Sequence, residues 1–375
     1  MSIYQWKQRK QNKEAAQKIQ RELGLTPMVS RILAARGLDT TEKVVNMVHG
    51  QIEIEDPMVL KDMDKAVERI VQALDKGERI AIYGDYDADG VTATSVLYSY
   101  LQMCGANVVY FIPTREGDGY ALSQAAIDRM LPEKITLIIT VDNGISCVEE
   151  VDYANQCGID VVITDHHQPG PVLPNAVAVV DPWRVDCPST YKPLAGVGVA
   201  FKLVCAIEGQ PCEVMLDEFA PLVAIGTVAD VMPLVGENRA FVTTGLQEMP
   251  YTDNVGLMAL LNASSKDLST LDAQTLSFSV VPRINAAGRM GDASIVVELF
   301  TAAEEQEAEE IVERLCSLNN SRQEEEAAIT EQIDEMAAKH PELFCGRVIV
   351  LHSSQWHKGI VGIVSSRIVD KYQKP

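Results

Sequence analysis

From residue 79 onward, short and nearly continuous apolar runs alternate with longer stretches whose apolar residues recur at helical spacing. The runs are Ile80–Tyr83, Asn107–Ile112, Ile135–Val141, Asp160–Thr164 and Val177–Val180, rich in Val and Ile. Runs this short with no polar alternation read as strands buried on both faces. Between them lie helix-patterned segments at Val91–Cys104, Ser123–Met130 and Cys147–Cys157, and an amphipathic helix over Met63–Lys76 feeds the first strand. Strand and helix in steady alternation predict an α/β fold, a parallel sheet with helices on both faces.

The flanks read differently. Residues 1–55 form a small, polar, helical lead-in, with helical spacing over Glu14–Leu23 and Pro27–Arg36 and a helix start at Asp39-Thr40-Thr41-Glu42. Beyond the sheet, Leu194–Glu208 is a glycine-punctuated helix and Leu222–Leu234 a helix or buried turn. Residues 280–292, VVPRINAAGRMGD, read as a non-periodic loop. Thr301–His340 is a long Glu/Ala/Gln-rich connector helix of about 60 Å at 1.5 Å per residue. A strand at Phe344–Leu351 and a further helix within His352–Val369 would then begin a second, smaller α/β unit.

The ends of the apolar runs carry the chemistry. The first delivers Asp85, Asp87 and Asp89 within Gly84–Gly90, the third Asp142-Asn143-Gly144, the fourth Asp165-His166-His167 and the fifth Asp181-Pro182. In a parallel sheet all four present these groups along one edge, with neighbouring strands about 4.8 Å apart. Alone, each has an ordinary explanation, a helix cap for Asp89 or Asp142 and a structural role for a lone histidine. Together they form an anionic cluster that a cation must neutralise, which predicts a metal centre. Asp230 adds an acid as the only charge in an apolar run, where a buried carboxylate needs a cation or a set of hydrogen bonds.

Composition narrows the class. With 47% hydrophobic and 23% charged residues the 375-residue chain suits a globular protein of two or three domains. Eight cysteines without a C-x-x-C pair read as reduced, packed thiols. The polar, basic start Met1–Lys10 has no apolar stretch behind it, so neither signal peptide nor membrane anchor is expected and the cytoplasm is. A net charge of −21 argues against a broad basic footprint for nucleic acid and leaves room for a local basic groove. Arg283, Asn285 and Arg289, among the glycines of 280–292, suit capture of an anion, since Arg offers a planar fork to phosphate.

Taken in order, GDYDADG, VDNG, TDHH, TVADVMPL, RINAAGR and WHKGIVGIVSSR resemble the motifs of the DHH phosphoesterase superfamily, and within it the bacterial RecJ single-strand DNA exonucleases. The resemblance runs from about residue 25 to the end and rests on six motifs in family order. It implies a DHH domain over 56–300, a connector helix over 301–340, and at 341–375 the beginning of a DHH-associated nucleic-acid-binding domain. It makes Asp87, Asp89, Asp142, His166 and Asp230 metal ligands, with Asp85 and His167 beside the metals and Asp165 orienting the histidines. Arg283, Asn285 and Arg289 would grip phosphate, and His357, Gly359 and Gly362 would face nucleic acid. Family members complete the second domain and add an oligonucleotide-binding barrel; this chain ends before both, so weak retention of a strand is expected.

The activity expected is hydrolysis of phosphodiesters in single-stranded DNA, 5′ to 3′ by the resemblance, serving repair and recombination. Aspartates and imidazole suit Mn²⁺ or Mg²⁺, the histidine favouring manganese, and a pair of ions about 3.5 to 4 Å apart can clamp the attacking and leaving oxygens. The motifs hold no protein nucleophile, which favours attack by activated water. The alternatives are a DHH-type oligoribonuclease or cyclic-dinucleotide phosphodiesterase, and a catalytically dead replication scaffold, which would have lost the ligands retained here. The expected partners are single-stranded DNA, a helicase and a single-strand-binding protein, and the chain is expected to be a monomer.

Overall fold

The computed structural model describes residues 7, 12–49, 53–115, 121–265 and 267–375. Apart from Lys7, the polar start Met1–Lys10 lies outside the described residues. Three helices lead in, α1 (Lys13–Leu23), α2 (Pro27–Ala35) and α3 (Thr41–His49), and α4 (Met63–Lys76) ends at Gly77 in the left-handed region, φ 63°. The sheet strands are β1 (Arg79–Tyr83), β2 (Asn107–Phe111), β3 (Leu137–Val141), β4 (Asp160–Thr164) and β5 (Ala178–Val180). All pair parallel, in the order β2-β1-β3-β4-β5.

Interspersed are α5 (Ala88–Met103), α6 (Gln124–Met130) and α7 (Val148–Gln156). Side chains alternate across a strand. Ile80, Ile82, Leu137, Ile139 and Val162 accordingly join one apolar core with α4, α5 and the later helices, while Ala81, Tyr83, Ile138, Val161 and Ile163 join a second core with α6 and α7. Burial on both faces is why these strands read as unbroken Val/Ile runs. The strand order reverses between β1 and β3, which opens a crevice at their carboxyl ends, the usual ligand site of such sheets.

The second half is helical: α8 (Gly196–Glu208), α9 (Cys212–Ala229), α10 (Gly236–Glu248), α11 (Val255–Ser264), the single turn α12 (Ala273–Thr275), α13 (Val281–Met290), α14 (Ser294–Thr301), α15 (Glu305–Lys339) and α16 (Lys358–Tyr372). One helix, α15, serves two cores. Its Ile311, Val312 and Leu315 pack into the main core, while Ile329 and Ile333 pack with Phe344, Ile360, Val364 and Ile368 around α16. No helix among the described residues is long and apolar enough to cross a membrane.

Three local expectations change. Residues 281–290 are helical and follow a π-helical stretch, Leu276–Val280. Val281, Ile284, Ala287 and Gly288 line one buried face, a periodicity obscured in the sequence by two arginines and by Pro282, which stands just after the π-helical turn in a helical run continuous from Ala273. Phe344–Leu351 forms no strand: Pro341–Phe344 is a 3₁₀ turn, and beyond it the Ile349 N–H donates to the Pro375 carbonyl at 2.8 Å without a pairing strand among the described residues. Last, α5 starts at Ala88, inside the acidic turn, rather than at Val91.

Candidate metal centre

β1 runs into Gly84-Asp85-Tyr86-Asp87, and Asp87 caps α5, its Oδ1 accepting from the N–H groups of Asp89 at 3.0 Å and Gly90 at 3.1 Å. Asp89 thus stands in the first helical turn. The N-terminus of α8 meets its carboxylate, Gly196 N–H donating to Oδ2 at 2.7 Å and Val197 N–H to Oδ1 at 2.9 Å. Helix N-termini favour such anions. A Cβ on Gly196 would lie 2.5 Å from Asp142 Cβ, so only glycine lets α8 begin this close to the next acid. Asp142, at the end of β3, adopts the left-handed region at φ 60°, strain of the kind that gathers at functional sites. Asp230 caps the end of α9, half-exposed.

These acids and the β4 histidines converge. Three groups have their ligand atoms within 4.8 Å of one another: Asp142 with His166 and His167, Asp89 with His166 and Asp230, and Asp85 with Asp87 and Asp142. Asp142 belongs to two of these, as does His166. His166 Nε2 lies 3.0 Å from Asp142 Oδ1 and 3.7 Å from both Asp89 Oδ2 and Asp230 Oδ2. The arrangement can hold one or two divalent ions with hard oxygen donors and one imidazole.

The electrostatics describe a site that wants a cation. Burial first, then Asp87, pushes Asp85 up to about 7. Burial and Asp87 likewise push Asp230 up to about 6. Asp89 and Asp142 are raised well above the carboxylate range by burial and then by neighbouring acids. Burial, then His167, lowers His166 to about 4, keeping its imidazole neutral and available as a ligand. Asp85 Oδ1 and Asp230 Oδ2 are buried without a hydrogen-bond partner, which is costly unless an ion satisfies them. The residues present therefore fit a metal.

Asp165 works behind the histidines. Its Oδ1 accepts from the backbone N–H of His166 at 2.7 Å and of His167 at 3.1 Å and lies 2.7 Å from His167 Nδ1, while Oδ2 accepts from Ile145 N–H at 2.9 Å. The His167 hydrogen bond holds that imidazole up near 9, and despite burial Asp165 itself is lowered by the same contact. Asp181, at the end of β5, belongs to none of the three groups; it accepts from Trp183 N–H at 2.6 Å and burial raises it to about 7.

The residues expected to grip substrate separate. Arg289 is brought beside the acidic turn, where burial, then Arg115 and Arg322, lower its pKa and Asp87 works the other way. Its Nη1 donates to Gly359 O at 3.1 Å. Arg283 is spent on carbonyls, donating to Ser279 O at 2.5 Å and Ala263 O at 3.3 Å. Asn285 Oδ1 accepts from Ala88 N–H at 2.9 Å. His357 caps its own helix through Nδ1, accepting from Gly359 N–H at 3.1 Å, and Gly362 lines an apolar hollow of about 620 Å³ with Trp356 and Ile333. Sequence reading missed Arg115, whose guanidinium lies 4.3 Å from the Tyr86 ring centroid, and Arg322 on α15, which bonds Glu326 at 2.8 Å. Each is a single basic residue in an unremarkable stretch, with no local signal to mark it.

Residues 79–227 match the DHH family, N-terminal domain. The single-stranded-DNA-specific exonuclease RecJ of Bacillus subtilis is 39% identical over 375 residues, all of this chain and 47% of that protein. Its Escherichia coli counterpart is 36% identical over 367 residues, 94% of this chain and 63% of that protein. Among solved structures, an exonuclease RecJ bound to manganese is 37% identical with a TM-score of 0.76, covering 84% of this chain and 79% of that one. RecJ in complex with Mn²⁺ from Thermus thermophilus is 34% identical with a TM-score of 0.80, covering 96% of this chain and 51% of that one. The chain spans 47% to 65% of the length of these and similar curated RecJ relatives.

Proposed function

The chain belongs to the RecJ exonuclease family, and from that premise we propose that it is a metal-dependent nuclease hydrolysing phosphodiester bonds of single-stranded DNA from the 5′ end. The observation that carries this reading is the meeting of three ligand groups, linked because Asp142 and His166 each belong to two of them, at one edge of a parallel sheet. Asp85, Asp87, Asp89, Asp142, His166 and Asp230 would hold Mn²⁺, or Mg²⁺, in one or two places. When bound, such ions supply a Lewis acid for the phosphoryl oxygens and an acidified water.

The chain's own groups do the rest. The α8 N-terminus orients Asp89, and Asp165 orients His167 beside the ligand acids, where its ring would face the metals, water or a phosphate oxygen. Arg289, with Arg115 and Arg322 nearby, gives the acidic site a cationic wall for the strand's phosphates. The same proposal takes 1–55 as lead-in, 56–300 as the DHH unit, 301–340 as connector and 341–375 as the beginning of a nucleic-acid-binding domain; the separate apolar cluster around α16 supports the last division. Cytoplasmic work on DNA during repair and recombination, as a monomer alongside a helicase and a single-strand-binding protein, completes it.

The test is digestion of end-labelled single-stranded DNA, duplex DNA, short RNA and a cyclic dinucleotide in Mn²⁺ and in EDTA. Release of labelled mononucleotide first from 5′-labelled single strands, and only with metal, is expected. Preferential cleavage of the RNA or the cyclic dinucleotide would replace this reading with the oligonucleotide phosphodiesterase one, and no cleavage of any substrate in Mn²⁺ would leave the scaffold reading.

A further inference from the structure

We propose that Asn285 is a positioning residue for the metal-binding acidic turn, acting through its side-chain oxygen and not through a contact to substrate. The turn must hold Asp85, Asp87 and Asp89 together against their mutual repulsion. From within, Asp87 secures the N–H groups of Asp89 and Gly90. That leaves the N–H of Ala88, the first residue of α5, and Asn285 Oδ1 accepts it at 2.9 Å from a helix 197 positions away in the chain. A backbone N–H only donates, so the Asn285 amide must turn its oxygen to the turn.

The next turn of α13 presses on the other side of Asp87. A Cβ on Gly288 would come within 2.2 Å of the Tyr86 carbonyl oxygen, so the helix backbone itself lies against the turn there. Tyr86 and Ala88, the two neighbours of Asp87, are thus both held by α13, one by close packing and one by a hydrogen bond. Asp87 stands between these two points, and its carboxylate belongs to one of the three ligand groups. Catalytic groups must be held within a fraction of an ångström by such supporting contacts.

The proposal rests on the metal-dependent nuclease reading for its activity arm alone. The experiment compares wild type, Asn285→Ala and Asn285→Asp by single-strand digestion in Mn²⁺ and by calorimetric titration with MnCl₂. Asp keeps the acceptor, and its charge suits a helix N-terminus, whereas it would repel a phosphate. Expected for Asn285→Ala are a kcat lowered about tenfold or more with KM within about twofold, and manganese affinity weakened about tenfold, the size of loss a small misplacement brings. Asn285→Asp is expected to recover most of the rate and the manganese affinity. An Asn285→Asp as impaired as Asn285→Ala, or with a KM raised about tenfold, would show an amide donor facing substrate and overturn the proposal. If Asn285→Ala does not fold, the KM of Asn285→Asp decides alone. If wild type does not cut single strands, the nuclease reading fails by itself, and the manganese titrations still decide, unchanged affinity in Asn285→Ala being the overturning result.

Discussion

Asp142 Oδ1 and His166 Nε2 stand 3.0 Å apart, one at the end of β3 and the other just past β4, and each serves two of the three ligand groups. Neighbouring parallel strands set that distance, since Val141 pairs with Thr164 in the ladder. The pair is where the three candidate ligand groups connect.

Asp142→Asn should therefore abolish turnover without unfolding the protein. Asn tolerates the left-handed backbone of this site, φ 60°, as well as Asp does. Removing one charge from a mutually repelling cluster leaves the metal-free protein as stable as before or more so. The expected loss in kcat is at least about 100-fold, equivalent to about 2.7 kcal/mol of barrier. Single-turnover digestion beside thermal unfolding in EDTA checks both halves, and a variant keeping a tenth of the wild-type rate would remove Asp142 from the centre.

Stability without metal should rise as the solution is acidified. Asp85 and Asp230, raised to about 7 and about 6 against an unfolded value near 3.8, bind protons more tightly when folded, as do Asp89 and Asp142. The contribution of Asp85 and Asp230 is present at low pH and is lost as pH climbs from about 4 through 7, and that of Asp89 and Asp142 is likewise lost as pH rises. His166, lowered to about 4, opposes them below about 6.5, one group against four. In EDTA the melting temperature is expected to be higher at pH 5.5 than at pH 7.5. Manganese reverses the order, because its ligands bind only when deprotonated, so its stabilisation should be largest above pH 7 and shrink below about 6. A manganese-induced shift independent of pH would contradict the assignment.

Asp165→Asn should drop the pKa of His167 from about 9 toward the ordinary value near 6.5, because the Asp165 contact is what raises it. A histidine raised by folding contributes stability that is complete below about 6.5 and lost as pH rises through about 9, so the variant should be destabilised more at pH 6 than at pH 10. Histidine titration by NMR, beside melting curves at the two pH values, reads this directly. An unmoved His167 would mean that another group sets its charge.

How far the sequence discloses this site depends on the range of the interaction involved. Asp85, Asp87, Asp89, Asp142 and His166 are legible because each follows an apolar run, and a parallel sheet brings all run ends to one edge. The Gly196 and Val197 donors to Asp89, and Asn285 on Ala88, are contacts across 107, 108 and 197 positions with no local pattern to announce them. The helix at 281–290 stayed hidden because a buried face of only four residues, interrupted by Pro282 and two arginines, has too little periodicity to read. The segment Phe344–Leu351, expected as a strand, finds no pairing strand among the described residues, and β propensity is realised only through pairing.

A chain of charge −21 has to hold a polyanion through a local basic lining. Arg115 and Arg289 stand beside the acids and Arg322 lies near Arg289; of these three arginines Arg322 is partly engaged by Glu326 while Arg115 lies on the Tyr86 ring. Each phosphate contact to a single strand adds about −0.7 to the slope of log affinity against log salt, so three contacts give about −2, and even five or six give only about −4. Arg289→Ala should flatten the slope by about 0.7 and lower the rate. Manganese affinity should not change, since Arg289 is a cation and reaches the Gly359 carbonyl, not a ligand carboxylate, with its Nη1. Fluorescence titration of labelled single-stranded DNA at several salt concentrations, with manganese calorimetry on the same variant, separates the two effects. A wild-type slope near −8 would require a basic groove beyond these three arginines, and lost manganese binding in Arg289→Ala would make that arginine a support of the metal centre instead of a wall for phosphate.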